Sequence, residues 1–193
     1  MKFYLKGLTI LFTLLCCSCT CDDSVIDTFL LSDFEKSLIP FDNYQDLFYV
    51  NENGEQVRAT TQPRTIQIEK ESRGAERCGY WEVETITNFI NFSQNGFSIQ
   101  LNMETSNDIT SFDINYGIQN SDNSENEYFE TLRNPSDEQI VNINVNGFEF
   151  ENVYVFNNSF LNENNTIELI LYSSEGRGIE LISFENGNYL KLE

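Results

Sequence analysis

From Tyr44 to the end of the chain, apolar and polar residues alternate with period two, the signature of half-buried β-strands. Phe97, Ile99, Leu101 and Met103 alternate with polar neighbours, and Phe112, Ile114 and Tyr116 repeat the pattern within 109–118. Leu47, Tyr49 and Val57 flank Asn51-Glu52-Asn53-Gly54-Glu55, which predicts a hairpin. Thr65, Ile66 and Ile68 predict another strand, followed by a charged loop over 71–77. The longest extended run is 79–92. There Trp81, Val83, Thr85, Thr87 and Phe89 share one parity, while Glu82 and Glu84 share the other and read as a wet face. Tyr80, Trp81, Phe89 and Phe92 form the densest aromatic stretch, expected mostly in the core.

Turn chemistry separates these runs. Ser93-Gln94-Asn95-Gly96 and Asn134-Pro135-Ser136-Asp137 are turns by residue type, and 120–127 is a polar, acidic loop. Asn146-Gly147 is the strongest short hairpin signal in the chain, joining 140–145 to 148–156. The tail is a meander of three strands, 167–172, 178–184 and 189–192, turning at Ser173–Gly176 and Glu185–Asn188. Ahead of the strands, Ser32-Asp33-Phe34-Glu35 has capping-box spacing and Pro40 stops any helix begun there. The expected fold is mainly β. It is a single antiparallel β-sheet domain (curved meander, half-barrel or sandwich) with at most one or two short helices.

The first residues follow a different pattern. Lys2 and Lys6 precede an apolar run from Leu8 to Leu15, and Cys16-Cys17-Ser18-Cys19-Thr20-Cys21 leads into Asp22-Asp23. A basic start, a short apolar run and small residues make a secretory signal, too short to span a bilayer. The cysteines direct the reading to lipidation, since a lipobox ends in a Cys that receives diacylglycerol. Cys19, preceded by Ser18, is the expected lipidation site. Cys17, which keeps Leu14 at the apolar position but puts Cys16 where a small residue is usual, and Cys21 stay open. The expected organisation is a signal over 1–18, a lipid-anchored tether with a short helix over 19–43, and a β domain over 44–193. A Cys with palmitate-type acyl chains holds its protein to a membrane surface without spanning it.

Charge narrows the partners. Eleven Lys and Arg face 31 Asp and Glu, and Lys2 and Lys6 leave with the signal, so the mature balance is −22. Such a field excludes nucleic acid, which needs clustered basic residues, and suits a solvated surface. The chain has no His, which excludes Ser-His-Asp and Cys-His nucleophiles, His-ligated metals and the usual switch near neutral pH. Glu82 with Glu84, and Glu149 with Glu151, stand two apart on strand faces, a separation of roughly 6–7 Å. Paired-carboxylate hydrolysis uses such separations, but alternating Glu is also what any wet strand face looks like, and no catalytic residue is assigned. Residues 122–127 offer oxygen ligands without the central Gly or terminal Glu of a calcium loop, so no metal or cofactor is expected. Gly176-Arg177-Gly178 lacks a third Gly and reads as a hairpin turn. Cys78 is expected to be a small buried thiol, with pairing to Cys21 left open.

Three pieces carry a resemblance: the lipobox with Asp22-Asp23 behind it, Arg77-Cys78-Gly79-Tyr80-Trp81, and the closing 172–181 segment with Gly187 and Tyr189-Leu190. On these the chain resembles the outer-membrane lipoproteins common in flavobacteria and their relatives. In that group, acids behind the lipidated Cys resemble a signal for export to the cell surface, and the resemblance supplies no catalytic residue. The closing meander is also similar to periplasmic lipoproteins whose curved half-barrel holds acyl chains, a likeness of fold only. The expected function is therefore a non-enzymatic, lipid-anchored protein of the outer membrane, facing the cell surface or periplasm, that binds a protein or glycan. The alternative is a carrier of a lipid or other apolar ligand inside the curved sheet.

Overall fold

The computed structural model describes residues 24–72, 79–92, 94, 96–118, 125–128, 131–158 and 167–193. Cys17, Cys19, Cys21 and Cys78 lie outside the described residues, as do 120–124 of the predicted acidic loop. In chain order the elements are β1 (Val25–Phe29), α1 (Asp33–Leu38), β2 (Gln45–Asn51), β3 (Gln56–Thr61), β4 (Thr65–Ser72) and β5 (Tyr80–Phe92). They continue with β6 (Phe97–Ser106), β7 (Ile109–Ile118), β8 (Glu125–Tyr128), β9 (Leu132–Arg133) and a 3-10 turn at Asp137–Gln139. β10 (Val141–Val145), β11 (Phe148–Asn157), β12 (Ile167–Ser173), β13 (Ile179–Phe184) and β14 (Tyr189–Leu192) close the chain. The sheet order is β10-β11-β12-β13-β14-β2-β3-β5-β6-β7-β8. The described residues fall into two compact units, one of 29–69 with 83–193 and a small one holding 24–28 with 70–82.

The larger unit is an antiparallel sheet curled into a half-barrel, as the alternation and turn residues predict. The Asn146-Gly147 hairpin forms with both residues at positive φ (54° and 82°), the geometry this pair is chosen for. β14 pairs with β2 (Leu192↔Tyr49), so the last strand closes against the first strand of the meander. Residues 125–127, read in sequence as loop, instead form β8 on β7 (Tyr116↔Glu127). That pairing is made by backbone groups, which a side-chain pattern does not report.

The concave face is packed with aromatic rings. Tyr49 meets Phe92 at 5.1 Å between centroids, Phe92 stacks on Phe97 at 4.4 Å, and Phe112 meets Tyr172 edge-on at 4.9 Å. Ile86, Ile90, Ile99, Leu101 and Ile182 fill the space between them and are fully buried.

On β5 the parity that reaches the main core is the opposite of the one expected, although Val83 and Thr85 of the expected parity are also buried. Ile86, Asn88, Ile90 and Phe92 point into the core, whereas Thr87, Phe89 and Asn91 are only half-buried. Of the four aromatics expected there, Phe92 alone is fully buried; Tyr80, Trp81 and Phe89 are half-buried. Glu84, expected on the wet face, is 7% exposed. It accepts the Leu31 N–H at 2.9 Å and pairs with Lys36 Nζ at 2.9 Å, two partners that offset the cost of burying a carboxylate.

Those partners belong to a segment that seals the sheet. In α1 the predicted capping box is complete: Glu35 N donates to Ser32 Oγ at 3.2 Å, and Ser32 N donates to Glu35 Oε2 at 2.7 Å. Burial pushes the Glu35 pKa up, but hydrogen bonds from Thr110 and Ser32 and the charge of Lys36 outweigh it and hold the group below its ordinary value. At the other end, Arg64 Nη1 donates to the carbonyls of Lys36 (2.6 Å) and Ile39 (2.8 Å). Its Nε lies 2.6 Å from Asp42 Oδ1, an ion pair rather than an aligned hydrogen bond. A cation whose Nη1 bridges the last carbonyls is a natural stop for a helix that Pro40 prevents from continuing.

Beyond the stop, Leu38, Ile39 and Phe41 are 0–2% exposed, and Tyr172 Oη donates to the Leu38 carbonyl. The Phe41 ring lies against Gly178, where a Cβ would sit 2.6 Å from Phe41 Cζ. Residues expected in a tether thus supply Leu31, Leu38, Ile39 and Phe41 to the main core.

Candidate functional site

The sheet carries a second apolar cluster, made possible by one extra residue in β11. Between Val141 and Ile143 of β10, the partners on β11 step from Val153 to Phe150, three residues against two. Asn152 takes the strain at φ 56°, a left-handed conformation that Asn tolerates better than most side chains. The bulge is stapled in place: Asn152 N donates to Asn142 Oδ1 at 2.9 Å, and Asn152 Nδ2 donates to Glu175 Oε1 at 2.9 Å. Its carbonyl accepts from Ser174 N at 3.0 Å and from Ser174 Oγ at 2.7 Å.

The shift puts Phe150 and Val153 on the same face, opposite Tyr154 and Phe156, which join the main core. Phe150, Val153, Leu171 and Leu181 are buried there, with Ile143, Phe148 and Tyr189 packed against them. β12 and β13 are apolar on both faces, which explains why their sequences run Ile-Glu-Leu-Ile-Leu-Tyr and Ile-Glu-Leu-Ile-Ser-Phe with little alternation. Phe148 meets Tyr189 edge-on at 5.4 Å, and Lys191 Nζ sits 5.2 Å from the Phe148 ring centre.

Beside this cluster opens a cleft of about 400 Å³. It is lined by Glu149, Phe150 and Glu151 of β11 together with Arg177, Glu180, Lys191, Leu192 and Glu193. Arg177 Nη2 lies 2.8 Å from Glu180 Oε1, an ion pair without an aligned N–H, and Glu180 is 7% exposed. A shallower depression of about 530 Å³ shares Arg177, Leu192 and Glu193 and adds Pro40, Leu47 and the exposed ring of Phe48. Two of the few cations of an acidic chain, Arg177 and Lys191, therefore line a cleft with Glu149, Glu151, Glu180 and Glu193, next to accessible apolar surface. Such a surface can accept and donate hydrogen bonds and stack against a ring, the requirements for holding a glycan or a polar peptide.

The two carboxylate pairs suggested by sequence spacing have different fates. Glu149 and Glu151 both line the cleft. Glu84 is closed into its contact with Lys36, and Glu82, in the smaller unit, accepts from the Thr28 hydroxyl at 3.3 Å. Among the described residues, no group of three or more Cys, Asp or Glu is placed to hold a metal ion. Gly176–Gly178 is the hairpin turn its sequence predicts, but Arg177 within it reaches the cleft. Arg177 and Lys191 were not singled out as binding residues by spacing; the available signal was their rarity, as two of the 11 basic residues. The lipidation site at Cys19 lies outside the described residues. Comparison with protein-family models, curated proteins and solved structures returned no match.

Proposed function

We propose that this chain is a lipid-anchored lipoprotein of the outer membrane, facing the cell surface or periplasm, that binds a protein or glycan and carries out no catalysis. The anchor rests on the basic start, the apolar run and Cys19. The binding role rests on one observation: the concave face is filled by its own chain. Leu38, Ile39 and Phe41 enter it from one side, and Tyr49, Phe92, Phe112 and Tyr172 fill the rest, each at most 2% exposed. An interior closed in this way supports recognition at the outer surface, where the cleft around Arg177 lies, over carriage of an apolar ligand.

Cys19→Ala in the full chain, expressed in a Gram-negative host and labelled with palmitate, tests the anchor. The wild-type chain is expected to carry label and sediment with outer membranes, and the variant to lose both. Label that persists in the variant but disappears on replacing Cys17 or Cys21 moves the site to that neighbour. An unlabelled wild-type chain contradicts the reading.

A further inference from the structure

The small unit carries apolar groups that its own packing leaves open. Val25 and Ile26 of β1 are 45% and 42% exposed, and as adjacent strand residues they point to opposite faces. Tyr80 N donates to the Ser24 carbonyl at 3.1 Å, and a Cβ on Gly79 would lie 2.7 Å from the Ile26 side chain, so β1 and the start of β5 form a tight ribbon. Tyr80 and Trp81, again on opposite faces, are half-buried. Lys70 Nζ stands 4.1 Å from the Tyr80 ring centre.

We propose that this ribbon docks on the bilayer surface, with Val25, Ile26 and Trp81 in the interfacial layer and Lys70 towards the headgroup phosphates. The proposal rests on the lipid-anchor reading of Cys19. Only four residues separate Cys19 from Ser24, so five residue steps give a reach of at most about 18 Å when fully extended. A ribbon tied that closely to an acylated residue meets the lipid surface before any other partner. Its composition suits that surface: Trp and Tyr concentrate at membrane interfaces, where an apolar body and a polar tip are both satisfied. Charge suits it as well. The ribbon's two stretches, 24–28 and 70–82, set Lys70, Arg73 and Arg77 against Asp27, Glu71, Glu76 and Glu82, a balance of only −1 in a chain of net charge −20. Anionic headgroups therefore repel this ribbon far less than the chain as a whole.

Trp81 is the only tryptophan, so its fluorescence reports on the ribbon alone. The acylated full chain is reconstituted into vesicles of phosphatidylethanolamine and phosphatidylglycerol, with and without phosphatidylcholine brominated in its acyl chains. Denaturing mass spectrometry of the same sample reads the covalent acyl groups. Docking predicts a loss of Trp81 emission with brominated lipid and protection from iodide in the buffer. An acylated protein whose Trp81 ignores the brominated lipid and is quenched by iodide overturns the docking and leaves the anchor standing. A protein without acyl groups overturns the anchor, and the docking with it.

Discussion

Gly178→Ala is expected to lower the free energy of unfolding by about 2–5 kcal/mol, read from the denaturant midpoint at unchanged slope. Two costs add at this position. The residue sits at φ 88°, where a Cβ is disfavoured by roughly 1–2 kcal/mol. The same Cβ would lie 2.6 Å from Phe41 Cζ and 3.2 Å from Cε2, and displacing a buried ring from a close-packed core costs about 1–3 kcal/mol. Gly147→Ala separates the two, because Gly147 has a similar φ of 82° and nothing within 4 Å of its Cβ position. It should cost only the backbone share, about 1–2 kcal/mol. Phe41→Leu, in the Gly178→Ala background, should recover part of the difference through coupling between neighbours. Equal losses for the two glycines would mean that Phe41 does not press on the β12–β13 turn.

Arg64→Ala is expected to cost about 3 kcal/mol or more, since hydrogen bonds from a charged donor contribute roughly 1.5–3 kcal/mol each and two are lost. The carbonyls of Lys36 and Ile39 would lose their guanidinium donor, Asp42 would lose its ion pair, and Leu38 and Phe41 would be held by packing alone. Arg64→Lys should recover only part of the loss, because an ammonium placed between both carbonyls cannot also sit beside Asp42 as Arg64 Nε does. Against a typical domain stability of about 5–15 kcal/mol, the alanine variant should expose the aromatic core measurably, seen as faster amide exchange in α1 and binding of an apolar dye. A loss below about 1 kcal/mol would show that packing of Leu38, Ile39 and Phe41 alone seats the segment.

Much of the sheet was legible because its signals are local. Asn146-Gly147, the 51–55 turn and the alternation from Phe97 to Tyr116 each specify a strand or a turn within a few residues. The Ser32–Glu35 capping box was legible for the same reason. What failed depends on distant partners. β5 has apolar residues on both parities, with Trp81, Val83 and Phe89 on one and Ile86, Ile90 and Phe92 on the other. Its own alternation therefore cannot choose the inward face. The segment ending in α1 makes that choice, by supplying Leu31 N and Lys36 to a buried Glu84.

The stretch 31–41 reads as a tether ending in a short helix because Pro40 stops the helix and nothing local shows what Leu31, Leu38, Ile39 and Phe41 pack against. Its place in the core rests on Arg64, Tyr172 and Gly178, the last two more than 130 residues away in sequence. The cleft was hidden for a similar reason. Spacing pointed to Glu149 and Glu151, but not to the bulge at Asn152 that brings Phe150 and Val153 into one cluster with Leu181, nor to the cleft those carboxylates line together with Arg177 and Lys191.

Whether the curled sheet is filled or carries cargo separates the binding protein from the carrier. Native mass spectrometry of the full chain, produced in cells and released from membranes, measures this directly. A filled interior predicts the mass of the polypeptide and its covalent acyl groups, unchanged when the sample is denatured. A reproducible extra mass that identifies as lipid and disappears on denaturation would contradict it, because such a ligand would have to displace Phe41, Tyr49 or Tyr172 from the core they close.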